Sequence, residues 1–439
     1  MKVLNRVLLG SAVGFCVVTS ANAADLPSVK SAPVEYVRVC SEAGQGFFYL
    51  PGSDTCVQIG GRVRADTAYI QTNSRNNDAV NFSASARINL DVRTNTPYGL
   101  ARAYLRYNLG RADGNYGDGF NNGTTGTSNY GGLDLAYIQF AGLTAGRIQS
   151  FFDFYANNYN FATIRNSDVN TQVLAYTANF GGGWSLTLGI EDGSERRVYS
   201  DNSYLRSYGI ASAGQSVPDV VGALLVEQDW GSAQLSAALH QIRPVYVTGV
   251  DGYYHDTKYG FAVHGGVKFN LSSLAPGSEL WIEGAYADGA IGYLGAGSYG
   301  FTQGGVALPM TDAFIDANGR MKKAKGWSAM VDLLHYWTPS VRQNIFASYM
   351  QLEYGRGGYT TYSLPELGTF NVGFVDANEW RIGSNIIWSP IKNFDIGAEV
   401  LYTRLDPKNR VLSDNAKGGF KAISSDDSWQ GRLRVQRDF

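Results

Sequence analysis

Past its first two dozen residues the chain has no stretch of 18 consecutive apolar side chains, so no later segment reads as a membrane-crossing helix. Cysteine (3), histidine (4) and proline (12) are scarce in 439 residues. The histidines, His240, His255, His264 and His335, are scattered, and neither H-E-x-x-H nor C-x-x-C occurs, so no metal centre is expected. No serine or aspartate pairs with a histidine in a hydrolase pattern, and no catalytic residue or cofactor is expected. The formal charge of -2 gives no bias toward nucleic acid. "GAGSYG" at 295–300 spells G-x-G-x-x-G but lacks a strand–helix setting, and "SDN" at Ser200 and Ser413 lacks S-x-x-K and K-T-G. Helical periodicity is nearly absent.

What the chain has is glycine (53), tyrosine (28) and alternation. In "NFSASARINLDVR", Phe82, Ala84, Ala86, Ile88, Leu90 and Val92 oppose Ser83, Ser85, Arg87, Asn89, Asp91 and Arg93. The final stretch, "SWQGRLRVQRDF", sets Trp429, Gly431, Leu433 and Val435 against Gln430, Arg432, Arg434, Gln436 and Asp438. Period two is the mark of a strand with one apolar and one polar face. Sixteen such segments are expected, near 57–71, 80–93, 98–109, 134–141, 143–149, 172–180, 184–192, 219–229, 232–242, 259–270, 279–288, 326–337, 341–354, 378–389, 392–404 and 428–439.

The connections sort into seven short ones, such as "AG", "GGG" and "WGS", alternating with eight that are longer. Short turns at one end and long loops at the other are the asymmetry of a transmembrane β-barrel. A spanning sheet must close on itself, because lipid offers no partner for edge N–H and C=O groups. The fold class expected is therefore all-β, a 16-stranded antiparallel transmembrane barrel over 56–439, with its last strand paired to its first. Phe439 is expected to stand in the aromatic girdle, and the resemblance of this ending to that of outer-membrane proteins as a class implies that it serves as a C-terminal assembly signal.

"MKVLNRVLLGSAVGFCVVTSANA" has Lys2 and Arg6, a short apolar core and Ala21-Asn22-Ala23, the anatomy of a signal peptide over 1–23. Export would leave Cys40 and Cys56, bracketing a Gly/Pro-rich loop, and these are expected to pair in an oxidising periplasm. Closing about 15 residues is worth roughly 3 kcal/mol in the chain-entropy model. Residues 24–55 then read as a periplasmic-side segment carrying the disulfide.

Three stretches, "ADLPSVKSAPVEYVRVCSEAGQGFFYLPGSDTCVQIGGRVR", "AYIQFAGLTAGRIQSFFDFYA" and "VLAYTANFGGGWSLTLGIED", resemble the alphaproteobacterial porin family. The resemblance runs the length of the chain. It implies sixteen strands, a homotrimer in the bacterial outer membrane among lipid and lipopolysaccharide, and a third outer loop folded into the lumen.

Sixteen strands leave a water-filled lumen whose polar lining selects what passes. Arg62 and Arg64, Arg87 and Arg93, Arg102 and Arg106, and Arg432 and Arg434 share the polar faces of four strands that closure makes adjacent. Eight arginines are thus expected to make a basic wall. The constriction loop, 150–171, offers Asp153 and Asp168 as opposing acids, and Phe151, Phe152, Phe154 and Tyr155 as pins to the wall. The function expected is a passive diffusion channel for small hydrophilic solutes and ions. The alternatives are a channel selective for sugars or small anions, an outer-membrane hydrolase, and a surface adhesin on a plugged barrel.

Overall fold

The computed structural model describes residues 38–72, 78–113, 127–199, 213–244, 257–297, 301–303, 306–316, 318, 320–414 and 419–439. The expected signal peptide and its cleavage site lie outside these residues. Residues Val39–Phe439 form the compact unit that contains the barrel.

Its strands are β1 (Cys56–Ile70), β2 (Val80–Thr96), β3 (Gly99–Asp113), β4 (Thr127–Phe140), β5 (Leu143–Gln149) and β6 (Asn170–Gly181). Then come β7 (Trp184–Glu191), β8 (Asp219–Gln228), β9 (Gly231–Ile242), β10 (Lys258–Asn270) and β11 (Glu279–Asp288). The last five are β12 (Lys325–Thr338), β13 (Val341–Glu353), β14 (Ala377–Ile391), β15 (Phe394–Pro407) and β16 (Asp426–Asp438). Each pairs antiparallel with the next, and β16 pairs with β1 from Asp438↔Arg62 to Gln430↔Ile70, so the sheet closes. All sixteen expected strands are present. The clearest difference is β4, which starts at Thr127 rather than near 134. Its "TSNYGG" carries no alternation, because a strand that rises beyond the membrane has no lipid to face.

The outward faces are apolar: Phe82 and Ile88 are exposed there, as are Ile382 and Leu433. Seven of the eight tryptophans are exposed. Trp184, Trp230, Trp337 and Trp388 sit near the short turns, and Trp327, Trp380 and Trp429 near the long-loop ends of their strands. These are the two aromatic girdles of a membrane barrel. Trp281, the eighth, points inward and is 9% exposed.

At the short-turn end β1 outruns its partner. Phe439 exchanges backbone hydrogen bonds with Gly61, and below that point Phe48–Tyr49 takes over, pairing with Val57 and Cys56. The Cys40–Cys56 disulfide ties this hairpin to the strand, as expected. At the other end the barrel mouth holds a core of its own. Ile291, Tyr293 and Leu294, followed by Met310 and Phe314, fold inward from the connection 289–324 and are fully buried.

Candidate functional site

The chain leaves β5 at Gln149 and re-enters the sheet at Asn170. Between them it folds into the lumen without helix or strand, so its backbone N–H groups need partners from elsewhere. Acids on the wall supply them. Phe151 N donates to Glu191 Oε1 (3.0 Å), Tyr155 N to Glu283 Oε2 (3.1 Å) and Ala162 N to Glu399 Oε1 (2.7 Å). Phe161 N donates to the other oxygen of Glu399. Arg165 Nη2 pairs with Glu379 at 2.6 Å, and Tyr155 OH donates to Asp332 at 2.8 Å.

The loop's aromatics pack as pins. Phe152 and Tyr155 are fully buried. Phe154 lies against Trp281, with ring centroids 4.9 Å apart, in a seat left open by Gly266, where a Cβ would come within 2.5 Å of its ring. Phe161 occupies a matching seat at Gly397, under the Arg434 guanidinium at 4.1 Å.

Beside the loop lies a cavity of about 550 Å³. Arg62, Arg64, Arg87, Arg106 and Arg434 line it on the wall side, and Asn157, Thr163 and Asp168 on the loop side. The wall is not bare base. Arg62 pairs with Asp438 at 2.7 Å, Arg434 pairs with Asp66 through two 2.8 Å bonds, and Asp134 lies 3.5 Å from Arg87 and 3.7 Å from Arg106. Further round, Arg342 pairs with Asp395 at 2.6 Å. Arg64 differs: its Nε donates to Gln436 at 3.0 Å, and no described carboxylate stands within ion-pair distance of it. Asp168 is exposed to the lumen and accepts from Asn157 Nδ2 at 2.8 Å. Neighbouring protein takes part of the water from around it, and that desolvation raises its carboxyl to about 6, against the opposing pull of the Asn157 hydrogen bond.

Four of the expected site residues lie elsewhere. Asp153 does not face the cavity: it is buried, accepting from Ser167 and Val169 N and pairing with Arg196 at 2.5 Å. Arg93 and Arg102 share Asp91, each at 2.8 Å, and Arg93 also donates to Ala43 O in the N-terminal hairpin. Arg432 donates to Phe161 O at 2.7 Å and so holds the loop. The residues not anticipated are Asp134, Arg342 and Asp395 in the lining, and the glutamates that hold the loop. Each shares its strand's polar face, so the alternation that flagged the arginines also marked them.

The Porin subfamily matches residues 25–432. The chain is 25% identical over 453 residues to Porin Omp2b of Brucella neotomae, covering 99% of each chain. It is 26% identical over 456 residues to Porin Omp2b of Brucella suis, covering 99% of this chain and 100% of that one. Among solved structures, the outer membrane channel DcaP of Acinetobacter baumannii shares the fold, with a TM-score of 0.62 at 16% identity, over 89% of this chain and 99% of that one. With its closed sixteen-stranded barrel and polar-lined lumen, the chain belongs to the Porin subfamily and is an integral protein of the bacterial outer membrane that forms a diffusion channel.

Proposed function

We propose that the cavity between the arginine wall and the infolded loop is the constriction of this channel, and that it passes small hydrophilic solutes and ions with a preference for anions. The observation that carries this reading is Arg64. Its neighbours Arg62 and Arg434 each stand beside a carboxylate that largely cancels their charge at the distance of a passing ion, while Arg87 and Arg106 share the one carboxylate of Asp134 and keep about one positive charge between them. Arg64 keeps a full positive charge at the lumen surface, with Asp168 on the loop side of the same cavity. The resulting transverse field orients dipolar solutes and slows apolar ones. Conduction is passive and involves no covalent chemistry. The reading extends to residues 1–23 as a signal peptide, on the anatomy of that segment, to Phe439 as the residue read during assembly, on the likeness of this ending to outer-membrane proteins as a class, and to a homotrimer held among lipid and lipopolysaccharide, on the strength of the family resemblance.

A second reading, a channel selective for sugars or small anions, draws support from Tyr104 and Tyr137, stacked at 5.2 Å with the Arg102 guanidinium 5.2 and 5.5 Å from their rings. Reversal potentials in planar bilayers under a salt gradient test the first. Arg64→Ala should move the potential toward the cation side, and an unchanged potential in Arg62→Ala/Arg64→Ala would remove the arginine wall from selectivity. Saturating flux with one sugar would favour the second reading.

A further inference from the structure

His240, near the long-loop end of β9, has both ring nitrogens turned toward carboxylates. Nδ1 lies 2.9 and 2.8 Å from the two oxygens of Asp219 on β8. Nε2 lies 3.7 Å from Asp312 Oδ2. Asp312 belongs to the connection 289–324 and ties it together, accepting Ile291 N at 2.8 Å and, from the neighbouring connection 192–218, Val198 N at 2.7 Å. Tyr293 OH donates to Asp219 at 2.7 Å. The four side chains are nearly sealed from water: His240 is 2% exposed, Asp219 1%, Asp312 3% and Tyr293 0%.

A neutral imidazole has one N–H and one lone pair. Whichever nitrogen lacked its proton would turn that lone pair on a buried carboxylate. The imidazolium instead donates from Nδ1 to Asp219 and sets its charge 3.7 Å from Asp312, at ion-pair distance, with Nε2 making no hydrogen bond of its own. Among the described residues, no arginine or lysine pairs with Asp219 or Asp312. β10 places only Gly260 opposite His240, and Arg197 and Arg243 line a small cavity beside it. Burial raises the Asp312 carboxyl to about 6, so it is charged at neutral pH. Acid below that value adds a proton to Asp312 and takes none from His240, which confines release to the alkaline side.

The cluster also reaches the constriction. The Arg196 guanidinium lies 4.5 Å from the Tyr293 ring while it pairs with Asp153 and donates to Ser167 at 2.8 Å, both on the infolded loop. Phe152 of that loop packs edge-on to Tyr293 at 4.6 Å. We propose that His240, Asp219 and Asp312 form a proton-operated latch that fastens the connection 289–324 to the barrel wall and, through Tyr293, steadies the constriction loop, and that alkali releases it.

Loss of the imidazolium proton leaves two buried carboxylates facing a neutral ring, a cost that loosened loops and entering water relieve. The test is hydrogen–deuterium exchange on the intact protein in detergent, corrected for intrinsic rates, at about pH 6.5 and about pH 9.5. Peptides spanning 289–297 and 306–316 should exchange at least about tenfold faster at the alkaline pH, while β12–β14 stay protected. His240→Gln, which offers no titratable proton, should exchange fast at both pH values and show no pH step. Equal corrected rates in the wild type would overturn the latch, and so would a pH step that survives in His240→Gln. Should that variant fail to fold, the wild-type exchange ratio decides alone. The readout does not involve conduction, so it stands apart from the anion preference proposed above.

Discussion

Gly61 and Phe439 exchange both of their backbone hydrogen bonds, 2.9 Å from Gly61 N and 3.1 Å from Phe439 N, and the Phe439 ring fills the space a side chain at Gly61 would need. A Cβ there would come within 2.5 Å of the ring and 2.6 Å of Arg87 O, which is backbone and cannot yield. The pair is the last rung of the seam between β16 and β1. Gly61→Leu should therefore strain the closure by about 3 kcal/mol or more. The folded, heat-modifiable band on SDS gels should fall sharply against wild type, while Gly431→Leu, with open space around it, should leave that band intact.

The N-terminal hairpin should come loose without the barrel. Cys40–Cys56 closes a separation of 16 residues, worth roughly 3 kcal/mol to the closed state. Arg93 adds a hydrogen bond to Ala43 O at 2.9 Å and lies 4.5 Å from the Phe47 ring. Cys40→Ser or reduction should open residues 39–55 to protease, with Arg93→Ala a weaker version of the same effect. Conductance should not change, because the β1–β16 pairing begins at Arg62. Limited proteolysis read by mass spectrometry separates the two effects.

Lipid made the barrel readable. Because one face of every strand must be apolar, the sequence shows Phe82, Ile88 and Leu433 outward with Arg87, Asn89 and Arg434 inward, and the strand count follows. The loop obeyed no such rule. Asp153 and Asp168 look alike in sequence, yet one is buried against Arg196 and the other faces the lumen, since an irregular segment has no period to say which way a side chain turns. The arginines were half legible for a related reason. Alternation places Arg93 and Arg102 on the inner face but cannot reveal that both pair with Asp91. Glu283 and Glu399 read as ordinary lumen charge, and their task became visible only once the loop's N–H groups were found on them.

Those glutamates suggest how to free the loop without touching the wall's cations. Glu399 accepts both Phe161 N and Ala162 N, and charge-assisted bonds of this kind are worth about 1.5–3 kcal/mol each. Glu399→Leu should leave a stable barrel, with its closure intact, but a loop that wanders. Single-channel records should then show open-state noise several-fold above wild type. Quiet records would mean that the Phe161 seat at Gly397 holds the loop by itself, and Gly397→Val should then be the noisy variant.

Selectivity should depend on pH through Asp168. Its carboxyl is raised to about 6 by partial desolvation, although the exposure of the side chain to the lumen tempers the effect. An acid raised in this way is charged above that pH and neutral below it. Near pH 7.5 the loop therefore carries a negative charge opposite Arg64, and near pH 5 it does not. Acidification should raise the anion-to-cation permeability ratio, by roughly twofold for one charge removed from a narrow passage. Asp168→Asn should show the acid value already at neutral pH and a flat profile. If the variant keeps the wild-type slope, Asp168 is not the group that sets the pH dependence.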